Sequence, residues 1–187
     1  MPKVLRSKIV GSGRPSKVAD NSKWFVSAVE ALPAMRSNVD KWLKERNQAG
    51  YSDFQLSVWS ACSLVPPGMV ATYGGISHVI CAAKLVESSE INPSEALRRV
   101  REKGIGSLAR GVGQALRRNP IAPTVPCHRV VSSDRRLHGF CGSTDEVQLR
   151  KKAVLLKKEG LQFGTQKTVD GAVAHVVVAP QCVLSYA

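Results

Sequence analysis

The stretch from Asn119 to Val131, NPIAPTVPCHRVV, concentrates more chemistry than any other in the chain. Pro120, Pro123 and Pro126 each fix φ, so this backbone can be neither a helix nor a regular strand. Cys127 and His128 follow at once. A rigid, irregular backbone is how a nucleophile is held in place, and a thiol near a neutral imidazole can lose its proton to become the reactive thiolate. The pair alone decides little, because a buried, inert cysteine is the commoner outcome. With Cys62, Cys81, Cys141 and Cys182 the cysteines number 5, an odd count with wide spacing and no CxxC pair. That pattern argues against a disulfide scaffold and a zinc finger, and for free thiols in a reducing, intracellular compartment.

The surroundings of Cys127 change the odds. ARGVGQALRRNP stands before PCHRVV, VPPGMVATYG lies further upstream, and LLKKEG closes the region. Linked in this order, these motifs resemble the O6-alkylguanine-DNA alkyltransferases (methylated-DNA–protein-cysteine methyltransferases), whose PCHRV pattern is complete from Pro126 to Val130. The similarity runs from about Tyr51 to Leu161.

The resemblance implies a role for each matching residue. Cys127 would take the alkyl group from guanine O6, His128 would act through a water as its base, and Glu159 would orient the histidine. Tyr73 would give a proton to guanine N3, so that guanine departs without full anionic charge. Arg110 would enter the duplex where the target base has flipped out. Asn119 would brace the turn between recognition helix and active-site loop. Ala109 and Gly111, with Gly113 and Ala115, would let that helix approach sugar and phosphate, and Arg117 and Arg129 would add DNA contacts. Phe140, Cys141 and Val130 would line the substrate pocket. Plainer readings stand beside these: a rim aromatic at Tyr73, a phosphate contact or solvated face at Arg110, and close helix packing for the small residues. No cofactor and no metal is implied. The implied partner is double-stranded DNA bearing O6-alkylguanine, met mainly from the minor groove by a monomer. The compartment would be the nucleus in a eukaryote and the cytoplasm in a prokaryote.

Three departures qualify the match. The sequence between Tyr73 and Arg110 is longer than the family ordinarily has, and the added segment, about 85–106, is basic. The family's N-terminal domain is absent or reduced to about fifty helical residues, and the region before Ser52 offers no Cys or His to a structural zinc site there. The substrate-binding loop reads HGFCGS, so the pocket wall gains Phe140 in place of a phenol and a second thiol at Cys141.

The elements that must position these residues are readable from periodicity and caps. Trp24, Phe25, Ala28 and Leu32 predict a helix from Asn21 that Pro33 ends, and a second follows from about Ser37 to Asn47. Ser52 and Gln55 form a capping box for a helix that Pro66-Pro67-Gly68 stops. A short link from Met69 leads to a helix through Ile76, Val79, Ile80 and Ala83. Asn92-Pro93 opens a basic helix to Gly104, and Ser107 caps the next. The helices near Ile76 and from Ser107 would be the two members of a helix-turn-helix. Val125 to Phe140 reads as an irregular segment and hairpin turning at Ser132-Ser133-Asp134. Ser143 and Glu146 predict a capping box for a helix carrying Leu149, Ala153 and Leu156 inward to Gly160. The tail, with Val173, Val176 and Val178, would be a strand or a loosely packed extension.

The fold class that emerges is mostly α with a small β-hairpin: a winged-helix-like, helix-turn-helix catalytic domain at 51–161, preceded by a basic arm and short helical extension at 1–50. Residues 162–187 form a C-terminal extension. The whole has 187 residues, 43% hydrophobic, and a net charge of +13. Its pI is near 9.9 and its mean hydropathy −0.10. That is enough apolar content for a core, and the basic excess favours a polyanionic partner, nucleic acid or an acidic membrane surface. The longest apolar stretch, Gly171 to Pro180, is far short of the ~20 residues a membrane-spanning helix needs. Direct-reversal DNA repair is the leading function. The competing readings are a lesion-binding relative that does not transfer, a helix-turn-helix regulator, and, more distantly, a cysteine hydrolase.

Overall fold

The computed structural model describes residues 21–48, 50–104, 108–167, 174–179 and 182–184. The expected basic arm before Asn21, the capping Ser107 and Val173 of the tail lie outside the described residues.

One long helix, α1 (Ser22–Lys44), replaces the two predicted before Gly50, and Pro33 sits inside it. A mid-helix proline removes a backbone hydrogen bond and costs about 3 kcal/mol. Burial outweighs that cost, because Phe25, Ala28, Val29 and Leu32 before the proline and Val39 and Leu43 after it fall on one buried face. That face packs on α2 (Asp53–Ser63) and α3 (Tyr73–Ser88). The predicted capping box opens α2: the Gln55 amide donates to Ser52 Oγ at 3.3 Å and the Ser52 amide to Gln55 Oε1 at 3.0 Å. Gly68, at φ +81°, turns the chain, and a Cβ there would meet the Glu159 carbonyl oxygen at 3.3 Å.

The link from Met69 becomes a strand, β1 (Val70–Thr72), and Thr72 then caps α3 by accepting from the Gly75 amide at 2.9 Å. The basic helix is α4 (Pro93–Glu102), with Asn92 as its cap, packed on α3 and α1. Next comes α5 (Ala109–Arg117), against α2 and α3. Leu108, not Ser107, holds its N-cap position, and its amide donates to Ser77 Oγ of α3 at 3.2 Å. Buried Trp59 of α2 ties down the other end by donating from Nε1 to the Ala115 carbonyl at 3.0 Å.

The predicted hairpin after Val125 is not there. Cys127–Arg129 form one 3₁₀ turn that runs into β2 (Val130–Val131), and β2 pairs in parallel with β1. Ser132 to Arg136 make only a local turn. Cap α6 (Glu146–Lys158) is opened by Asp145, which accepts from the Gln148 amide at 2.8 Å, not by the expected Ser143. Ser143 instead braces the Asp145 carboxylate. The hairpin of this fold lies in the tail, where β3 (Phe163–Lys167) pairs antiparallel with β4 (Ala174–Val178). The chain then returns as β5 (Val183–Leu184) to the free edge of β1, giving a parallel sheet in the order β2-β1-β5. Mostly helical with small sheets, the fold class is the one expected; the tail's role in it was not foreseen.

Candidate active site

Three elements converge on Cys127: the start of α3, one face of α5 and the loop from His138 to Thr144. Between them lies a cavity of about 440 Å³ lined by Tyr73, Arg110, Arg117, Cys127, Phe140 and Cys141 among others. The proline-rich approach does what rigid backbone should. Asn119 braces it, donating from Nδ2 to the Val125 carbonyl at 3.0 Å and accepting at Oδ1 from the Ile121 amide at 3.1 Å. The Cys127 amide closes the last turn onto the Val125 carbonyl at 2.8 Å.

Cys127 is 8% exposed. Burial pushes its thiol up; the Asn119 amide and then the Lys152 charge oppose that, while Cys141 adds to it. His128 is 4% exposed, and its Nε2 lies 2.8 Å from Glu159 Oε1. Burial pulls its imidazole below the ordinary value, against the Glu159 carboxylate. It is therefore neutral at pH 7. Its Nδ1 is buried and meets no hydrogen-bond partner among the described residues, and its ring stands edge-on to Phe140. Glu159, at the end of α6, is pushed up by burial, but bonds from Arg129 and then His128 outweigh this and hold it below the carboxylate range. Tyr73 begins α3, and its hydroxyl donates to the His138 carbonyl at 2.8 Å. Burial, then Cys127 and Cys62, push that phenol up to about 12, so it keeps its proton at neutral pH.

The sequence-derived set is thus brought together in large part. Tyr73, Cys127, Phe140, Cys141, Ala109, Arg110 and Arg117 line one cavity, with His128 and Glu159 behind it. Three residues stand elsewhere than expected. Arg129 does not face outward to DNA: its guanidinium grips both Glu159 oxygens and donates to the Val65 carbonyl at 2.7 Å. Val130 is fully buried in β2 and is not in the pocket wall. A Cβ on Gly111 would meet the Phe54 ring at 3.2 Å, so that glycine serves packing against α2. Asn119 stands where a brace of the turn should, with both ends of its amide engaged within the protein.

Lys152 escaped sequence reasoning. It is 0% exposed, and its Nζ donates to the Val130, Gly139 and His138 carbonyls at 2.6, 3.1 and 3.4 Å. The signal was present: Leu149, Lys152, Ala153 and Leu156 share the i, i+3, i+4, i+7 spacing of a buried helix face. Among the described residues no group of His, Cys, Asp and Glu could hold a metal, and no helix is long and apolar enough to cross a membrane.

A thiol backed by an imidazole–carboxylate pair, at the floor of a cavity walled by an arginine-bearing helix, defines a protein built to take a group onto sulfur. The family model for the DNA-binding domain of 6-O-methylguanine DNA methyltransferase matches residues 53–161. The chain is 31% identical over 146 residues to a methylated-DNA–protein-cysteine methyltransferase of Methanosarcina acetivorans, covering 78% of this chain and 76% of that one. It is 32% identical to the enzyme of that name from Mycolicibacterium paratuberculosis, over 69% of this chain and 64% of the relative. A crystal structure of the Mycobacterium tuberculosis protein in complex with DNA aligns with TM-score 0.40 and 25% identity, over 73% of this chain and 66% of that one. The chain belongs to the methylated-DNA–protein-cysteine methyltransferase family.

Proposed function

We propose that this protein repairs double-stranded DNA by moving the alkyl group of O6-alkylguanine onto Cys127 Sγ, once per molecule. The observation that carries the reading is Cys127 at the cavity floor with the His128–Glu159 pair behind it, within a chain of this family. His128, neutral at pH 7 with Nδ1 unengaged among the described residues, takes the thiol proton through a water; Glu159 holds Nε2 and favours the imidazolium that results. The sulfur attacks the alkyl carbon in line, and the C–S bond forms as the C–O6 bond breaks. Tyr73 supplies the proton to guanine N3, turning its hydroxyl from the His138 carbonyl. The thioether has no route back, so transfer is stoichiometric.

A flipped base fits the cavity's position beside α5, where Ala109 offers little bulk and Arg110 can fill the gap in the duplex. The DNA is met from the minor groove by a monomer, as the family resemblance implies. Arg117, against Gly142 of the substrate loop, serves phosphate or loop. The deciding experiment is incubation with duplex DNA bearing one O6-methylguanine. An intact mass gain of one methyl group, mapped to Cys127, is expected. Cys127→Ser should lose it while binding DNA as before, since phosphate contacts supply most of the affinity. Continued methyl acceptance by that variant would overturn the assignment.

A further inference from the structure

Lys152 is an ammonium sealed inside the protein, and among the described residues no carboxylate pairs with it. Its three N–H groups are taken by three carbonyls, and these belong to two different parts of the site. Val130 follows the Cys127–Arg129 turn in β2, whereas His138 and Gly139 begin the loop that carries Phe140 and Cys141 into the cavity wall. The same His138 carbonyl accepts from Tyr73. One cation therefore joins the nucleophile's strand, the pocket wall and the phenol.

Burying a charge is expensive unless something compensates it. Carbonyl dipoles do so in part. The acid nearest in function, Glu159, is already held by Arg129 and His128. Burial pulls Lys152 down to about 8, which leaves it charged at pH 7, and the ionisable groups that oppose that pull are the thiols Cys127 and then Cys62. Burial pushes Cys62 well up, so it stays a neutral thiol. Cys127 is thus the one neighbour that can become the counter-charge.

We propose that Lys152 is a positioning residue for the alkyl transfer: its ammonium supplies the positive charge against which the Cys127 thiolate forms, and its carbonyl bonds hold the His138–Gly139 wall over that thiolate. The inference rests on Cys127 being the acceptor. The charge acts through space, since no N–H of Lys152 is left to donate to sulfur. The other groups facing Cys127 are Tyr73 of α3, Cys62 of α2, Cys141 of the loop, and His128, Arg129 and Glu159 behind the turn. The two cysteines and the phenol add no positive charge, and Arg129 is engaged with Glu159.

The test reads the thiolate without any alkylguanine. Iodoacetamide labelling of Cys127, resolved from Cys141 by peptide mass, is followed against pH in the wild type, Lys152→Met and Lys152→Arg. Lys152→Met should raise the titration midpoint by about one pH unit. At pH 7 its labelling should slow about threefold, because tenfold less thiolate is partly offset by a more nucleophilic sulfur. Lys152→Arg should stay near the wild-type midpoint. A folded Lys152→Met protein with an unmoved midpoint would overturn the proposal.

A second measurement needs no variant. Lys152 side-chain NMR in ¹³C-lysine protein should show its titration midpoint fall once iodoacetamide has converted Cys127 to a neutral thioether. No change on capping would also overturn the proposal. Methyl transfer from duplex DNA to the wild type is assayed separately, so failure of the repair reading and failure of the Lys152 reading are told apart.

Discussion

Glu159 holds two groups at once, the imidazole that serves the nucleophile and the Arg129 guanidinium that anchors the turn to Val65, just past the end of α2. Glu159→Gln should slow methyl transfer by roughly tenfold to a hundredfold without abolishing it, the lower part of the range for a general base. It should also cost about 2 kcal/mol of stability, because Arg129 keeps hydrogen bonds but loses its counter-charge. The pH dependence has a definite sign. The folded carboxyl lies below its ordinary 4.5, so its stabilisation is present above that value and is lost as pH falls through the folded value. Unfolding measured between pH 6 and pH 3 should therefore show a steeper loss in the wild type than in Glu159→Gln. His128 titrates below its ordinary 6.5, and methyl-transfer rates should stay level as pH drops through 6.5 before they fall.

At the scale of elements, α4 turns out differently from its composition. The sequence marks it only as basic, yet Arg98 pairs with Glu95 and Glu102, and Arg99 with Glu95. Those i,i+3 and i,i+4 pairs neutralise the face locally. The Arg98→Gln/Arg99→Gln double variant should leave the slope of log affinity against log salt unchanged. Arg110→Gln or Arg117→Gln on α5 should flatten it by about one each if the side chain reaches phosphate. α6 makes a separate case. Asp145 is its cap, and Asp145→Ala should cost about 1 kcal/mol, read as a fall of a few degrees in Tm.

Across the whole molecule, the tail is part of the frame that aims the site. β5 pairs with β1 at Val70↔Val183 and Ala71↔Leu184, and Asn21 at the start of α1 donates to the Val183 carbonyl at 3.2 Å. β1 runs directly into Thr72 and Tyr73, so support at its far edge reaches the phenol. Leu184 is 4% exposed, and Leu184→Ala should cost about 3 kcal/mol. That corresponds to a fall in Tm of roughly 9 °C in a chain of this size. Thermal unfolding checks the magnitude; methyl transfer at 20 °C, where the variant is still folded, checks whether Tyr73 has moved.

The chemistry was legible in the sequence because it is written in neighbours. PCHRV, ATYG, ARGVG and KKEG each keep their working residues within a few positions, and the caps at Ser52 and Asn92 depend on contacts three residues apart. Periodicity likewise exposed the inward faces of α2, α3 and α6. What the sequence left undecided depends on distant partners. Pro33 reads locally as a stop, but the burial of Phe25 to Leu43 against α2 and α3 carries one helix through it. Val130-Val131 looked like half of a hairpin, and only the arrival of β1 from some sixty residues earlier makes it a parallel strand. Arg129 reads as an exposed cation until Glu159 claims it, and Arg98 and Arg99 stay at the surface but pair with Glu95 and Glu102. Lys152 reads as one more lysine in a basic helix; its burial beneath Cys127, among carbonyls of two other segments, is set by tertiary packing alone.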